Sequence, residues 1–291
     1  APFLGRLLDA GHYALSSSRS GLPASTPAFQ AGLLYGIAPS VPGFMWYDRE
    51  AGREVRMDRA NDAADVELGL ARQSPGLMTG GANYFAVFHG GSHLPQFCLS
   101  GLAGSLLPPD AYLRQMNGWD ALASAVSHSV TIGHMARSLA GETGNALLDG
   151  LKSLKERMRI KHEPRFLIHR LLVSCCMREL QVRAAKLDIA RAVPRIYFNF
   201  LAYDEFSHRR GPDSEQAFAG LTEMDRAVES IFKAAAARPE LGYDFYIFSD
   251  HGQVRTTPFE AFTGLTLPEY LSLTDGGVEL PGALDGDGAK Q

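Results

Sequence analysis

Two runs of aromatic and β-branched residues, each closed by one Asp and one His, constrain this chain more than any other feature. Arg195 to Ala202 (R-I-Y-F-N-F-L-A) leads into Tyr203-Asp204-Glu205-Phe206-Ser207-His208-Arg209-Arg210-Gly211-Pro212, and Tyr243 to Phe248 (Y-D-F-Y-I-F) leads into Ser249-Asp250-His251-Gly252. Both runs read as strands, because such side chains suit a pleated, half-buried surface. In an open α/β sheet, ligands collect outside the carboxyl ends of the strands. Two Asp/His pairs delivered there suit two divalent cations with oxygen and imidazole ligands, zinc above all. The residue types alone therefore point to metal-dependent hydrolysis. Asp204 and His208 would hold one ion, Asp250 and His251 the other. The interval of four between Asp204 and His208 would suit one helical face, but the Gly-Pro just beyond predicts a tight loop.

The rest of the chain alternates helices and short apolar runs. Pro2 to Ala10 reads as a helix and His12 to Ser16 as a short strand. Thr26-Pro27 opens a helix, with Thr26 as its N-cap and Pro27 in the first turn, where a missing N–H costs nothing. Arg53 to Gly81 has no clear period, and one short helix is expected near Asp65 to Gln73. Asn83 to Phe88 reads as a buried strand. From Pro109 to Ala192 the apolar spacing turns helical, Pro164 dividing it into two stretches. A helix is predicted from Ser214 to Ala236, and a loop from Asp275 onward.

Composition sets outer limits. A chain of 291 residues, 45% hydrophobic and 21% charged, can bury a large core. Its three cysteines are too few for a disulfide framework and read as small packed residues. The net charge of −4 hides an uneven distribution, since positions 152–195 hold twelve Lys/Arg against four Asp/Glu. That basic stretch, with Phe166 and Leu167 close by, suggests peripheral contact with an anionic membrane surface, in an extracytoplasmic or membrane-associated setting. No aromatic-interleaved groove accompanies it, so specific nucleic-acid binding is not expected.

Three motifs in this order resemble the alkaline phosphatase superfamily, in its nucleotide pyrophosphatase/type I phosphodiesterase branch. They are Asp204-x-x-x-His208-x-x-Gly211-Pro212, Ser249-Asp250-His251-Gly252, and Ser25-Thr26-Pro27-Ala28-Phe29-Gln30-Ala31-Gly32-Leu33-Leu34-Tyr35-Gly36. The resemblance implies a three-layer αβα core with a helical insertion at 109–192, residues 1–291 forming one domain. It implies Thr26 as nucleophile and metal ligand, beside two divalent ions held by Asp204, His208, Asp250 and His251. A threonine hydroxyl is a poor nucleophile near neutral pH; coordination and the partial positive charge of a helix start would favour its alkoxide. A covalent phospho-threonine would form and then be hydrolysed by water. Ser25 is the nearest rival.

The same resemblance assigns four protein ligands to each metal site, two of which these residues do not contain. An Asp is expected upstream of the nucleophile and a His well beyond Asp-His-Gly, so the sequence is read as an internal piece of a longer protein. Many family members also carry an Asn three residues after the nucleophile, donating to a phosphate oxygen. Phe29 stands there, and Gln30 or Asn83 is expected to supply the donor. The leading reading is a phosphodiesterase or nucleotide pyrophosphatase acting on a small phosphate ester. A phosphomonoesterase, a phosphotransferase of the same superfamily, or a non-catalytic domain keeping the fold are the alternatives.

Overall fold

The computed structural model describes residues 2–22, 24–37, 41–102, 176–257 and 259–274, with a few positions between 133 and 144. Most of the predicted insertion at 109–192, the basic residues at 152–170 and the tail after 274 lie outside these. Helix and small sheets alternate in an α/β arrangement. Among the described residues, no helix is long and apolar enough to cross a membrane.

Helix α1 (Pro2–Asp9) and helix α2 (Thr26–Tyr35) come first, followed by a hairpin of β1 (Met45–Asp48) and β2 (Arg53–Arg56). The hairpin pairs Met45 with Arg56 and Asp48 with Arg53. Its turn is set by Asp48, whose Oδ1 accepts from the N–H of Glu50 and of Ala51, both at 2.9 Å. Helix α3 (Ala60–Ala71) follows, longer than the helix predicted there, and the strand β2 was not expected at all. Both are fixed by one carboxylate. Asp62, in the first turn of α3, accepts from Arg56 N at 2.9 Å and from the Arg53 guanidinium. The core beneath comprises Leu34, Tyr35, Val55, Met57, Leu70 and Phe88, among others.

A parallel sheet of order β4-β3-β5 carries the functional end of the chain. Strand β3 (Ala82–Tyr84) pairs with β4 (Leu94–Gln96) and with β5 (Ile196–Phe198), Ala82 standing opposite Leu94 on one side and Ile196 on the other. The run predicted as a strand from Asn83 to Phe88 ends early because Phe85 turns to φ 55. Predicted strand His12–Ser16 is irregular chain, its Leu15 84% exposed and with no partner strand.

Helices α4 (Arg178–Ala190), α5 (Ala202–Arg210) and α6 (Glu215–Ala236) pack around β5, with α7 (Phe259–Thr263) and α8 (Leu267–Thr274) beyond. Val182, Ala185 and Ile189 of α4 meet Ala227, Ile231 and Ala235 of α6 in a second core. Helix α6 starts as predicted, with the Ser214 hydroxyl accepting from Ala217 N at 3.2 Å. Gly220 lets α5 lie close to it, for a Cβ there would stand 2.7 Å from the Phe206 ring. Cys98 is buried and its thiol is pushed up to about 12 by that burial, which suits a packing role.

Candidate active site

Each predicted site residue is placed by a different local device. Asp204 and His208 lie on helix α5, which corrects the expected tight loop. The physical reason is that Gly211 ends the helix instead of preventing it. Gly211 takes φ 90, a left-handed conformation open to glycine, and Pro212 follows where no helix needs to continue. Ala202 and Phe206 are buried against α6. Asp204 and His208, two residues further on, therefore lie about 200° around the helix. The pair faces away from the core because the core holds the other face.

Asp204 sits in the first turn of α5, where the helix dipole favours a negative charge. Its Oδ1 stands 3.3 Å from His208 Nε2. Burial alone would raise the Asp204 carboxyl; the His208 bond, the nearby His251 and the Gln253 amide outweigh it and hold the group below its usual range. Asp204 raises His208 in return, chiefly through the same hydrogen bond.

Asp250 and His251 reach the site differently. Tyr243 to Phe248, read as a strand, forms no ladder, and Tyr246 is 83% exposed. A strand requires a hydrogen-bonded neighbour as well as suitable side chains, and none of the described strands borders this run. Phe248 anchors it instead. Its ring lies 5.5 Å from Phe29 of α2 and 6.3 Å from Tyr197 of β5, centroid to centroid. Phe29, standing where family members often have Asn, thus packs the segment that delivers Asp250 and His251.

Thr26 is the first residue of α2, and the N-cap predicted for it is Ser25. The shift of one residue matters, because the Thr26 hydroxyl is not consumed in capping. Its Oγ1 lies 3.4 Å from His251 Nε2. The other ring nitrogen, Nδ1, is 3.2 Å from the Gly252 carbonyl. A carbonyl only accepts, so in the tautomer with Nδ1 donating to it the Nε2 lone pair faces the Thr26 hydroxyl. Asp250 Oδ1 accepts from His251 N at 3.2 Å and its Oδ2 is 3.7 Å from His251 Nε2.

The structure thus brings Thr26, Asp250 and His251 together, with the Asp204/His208 pair joined to them through Gln253. Gln253 Nε2 donates to Asp204 Oδ1 and lies 3.5 Å from the Asp204 carbonyl. Sequence reading passed over Gln253, although it follows Asp250-His251-Gly252 directly; nothing in a single sequence says where its amide goes.

Gln30 and Asn83 are not brought to the site as substrate donors. Both are fully buried, Gln30 Oε1 accepting from Val87 N at 2.8 Å and Asn83 Nδ2 donating to Phe88 O at 3.0 Å. As placed, Gln30 Oε1 and Asn83 Nδ2 hold the turn after β3. The physical reason is their position on the inner faces of α2 and β3. His89 belongs to that turn, its Nε2 3.4 Å from the buried carboxylate of Glu67.

The donor chemistry fits divalent cations. Two ligands of one tetrahedral zinc, at about 2.0–2.1 Å from the metal, stand about 3.3 Å apart. The 3.3 Å between Asp204 and His208 and the 3.7 Å between Asp250 and His251 lie near that edge and are long for charge-assisted hydrogen bonds. Among the described residues no three His, Cys, Asp or Glu side chains form a ready cage.

The α/β fold and the helix-start hydroxyl beside acid–imidazole pairs are compatible with phosphoric ester hydrolysis, the class to which the matching family belongs. A family model, type I phosphodiesterase / nucleotide pyrophosphatase, matches residues 1–277. The chain belongs to that family, whose members are generally metal-dependent. No curated protein and no solved structure gives a significant match to the chain.

Proposed function

We propose that the protein is a metal-dependent phosphodiesterase of the nucleotide pyrophosphatase type, with Thr26 as nucleophile, on a three-layer αβα core with a helical insertion within 109–192. The observation that carries this reading is the 3.4 Å approach of Thr26 Oγ1 to His251 Nε2. Residues 225 positions apart meet there through side chains that have no structural need of each other.

Asp204 and His208 would hold one divalent ion, and Asp250, His251 and Thr26 the other. Bound cations would supply positive charge for the non-bridging and leaving oxygens and lower the proton affinity of nearby hydroxyls. The chain's own residues do the rest. The N-terminus of α2 adds partial positive charge at Thr26. Thr26 Oγ attacks phosphorus, its P–O bond forming as the bond to the leaving oxygen breaks, and that oxygen departs with a proton. Water then attacks phosphorus, the P–Oγ bond breaks, and Thr26 regains its proton. His251, held through Nδ1, orients the hydroxyl before attack.

The test is hydrolysis of bis-p-nitrophenyl phosphate and of a p-nitrophenyl mononucleotide ester by the full-length protein with Zn²⁺. Thr26→Ala should lower the diester rate by about 10³-fold or more. An unchanged rate would remove Thr26 from the chemistry. Faster turnover of p-nitrophenyl phosphate than of either diester would favour a monoesterase.

A further inference from the structure

We infer that Gln253 is a positioning residue for Asp204, fixing the rotation of its carboxylate by donating to one lone pair of Oδ1. This inference rests on the metal reading of Asp204 given above.

Gln253 Nε2 bonds Asp204 Oδ1, and His208 Nε2 stands 3.3 Å from that oxygen. Among the described residues no hydrogen bond or ion pair falls on Oδ2, and Oδ1 keeps its second lone pair, so the carboxylate can still take a cation. The amide is well suited to this task because it is neutral: it fixes the rotation of the carboxylate without cancelling its charge or competing for a cation. Its second contact, 3.5 Å to the Asp204 carbonyl, sets the amide against both the main chain and the side chain of one residue.

The placement answers a structural need. Residues 249–257 follow a segment with no ladder, so no backbone hydrogen bond fixes Asp250 and His251 relative to helix α5. Gln253, two residues beyond His251, joins the two motifs by side chain. The same bond that orients Asp204 sets the distance between the two acid–imidazole pairs. Arg255, two residues further on, reaches Asp213 at 3.1 Å but is 68% exposed in its side chain and bonds no member of either pair. Gln253 is half-buried, its amide against helix α5.

Removing outer-shell partners of metal ligands typically weakens metal affinity by about 10- to 100-fold. The experiment titrates the full-length protein with Zn²⁺ against a chromophoric chelator. Wild type is compared with Gln253→Met, which keeps length without a donor, and Gln253→Asn, which is too short to reach. Both should bind Zn²⁺ about 10- to 100-fold more weakly, with an unchanged urea midpoint. In an Asp204→Asn background, Gln253→Met should add no further loss. Equal affinity in wild type and both variants would overturn the inference while leaving the metal reading intact. An equal loss in the Asp204→Asn background would also overturn it, since Gln253 would then act on the fold at large. Failure of the wild type to bind Zn²⁺ would overturn the metal reading and this inference with it.

Discussion

Segments 41–102 and 243–257 both mix apolar runs with glycine, yet they are held in opposite ways. In the first, backbone groups are paired and carboxylates are buried. Glu67 accepts the Tyr35 hydroxyl, His89 N at 3.1 Å and Gly90 N at 2.7 Å from within the core. In the second, Tyr246 and Val254 are more than 80% exposed, and order comes from side chains that reach other elements, Tyr243, Phe245, Phe248, His251 and Gln253 among them. The difference teaches that the support and the chemistry are divided. One region is fixed by its own interior, while the other, with no ladder, is located by what its side chains touch elsewhere.

That contrast is open to direct attack. Thr26→Ala stands at the catalytic extreme, removing rate with little loss of stability. On the structural side the largest effect is expected from Glu67→Ala, which strands one hydroxyl and two N–H groups in the core. Urea unfolding should report a loss of about 3–5 kcal/mol; a loss under 1 kcal/mol would mean that the turn after β3 is not held by this carboxylate. Asp225→Ala should cost less, about 1–2 kcal/mol, and act locally. Asp225 accepts from Phe3 N at 2.8 Å and Leu4 N at 3.0 Å, a cap for α1 supplied by α6. Faster hydrogen exchange confined to residues 3–9 would report it.

Asp188 sharpens the comparison through pH. It is fully buried and raised above its ordinary 3.8 by burial, although the Tyr84 hydroxyl donates to its Oδ2. The folded state therefore holds this proton more tightly than the unfolded chain. Its stabilising contribution is complete below about pH 3.8 and declines as pH rises through the raised value. Asp188→Asn, which does not titrate, should gain in urea midpoint relative to wild type between pH 4 and pH 7; a constant difference would refute the assignment. The smallest effect is expected in the motif segment. Arg255→Ala breaks an exposed pair with Asp213 and should change stability by less than about 0.5 kcal/mol.

Local chemistry made several elements legible. Ser214 before an amphipathic run predicted α6, and the Pro2 helix ends at Asp9, one residue from its expected bound. The three motifs identified the family. What sequence missed was decided by partners distant in the chain. Arg53 to Arg56 became a strand because Asp62 and the facing β1 hold it, neither of which a periodicity reveals. Tyr243 to Phe248 has strand composition and no ladder, because β propensity describes a surface and cannot provide the neighbouring strand. Gly-Pro was read as favouring a tight loop over Asp204 to His208 when it only marks where that helix stops. At the site, the types Thr, Asp and His were readable. The burial of Gln30 and Asn83 and the reach of Gln253 were not, since each depends on which way a side chain turns.

The Asp225 cap has a consequence for how the protein is made. Its acceptor is synthesised 222 positions after the first N–H it receives. At about 5–20 residues per second, helix α1 waits roughly 10–45 s on the ribosome before the carboxylate exists. During that interval its apolar face, with Phe3, has no Phe232 to meet. A nascent chain stalled before residue 225 should therefore expose its beginning to chaperones, and one stalled after α6 has emerged should not.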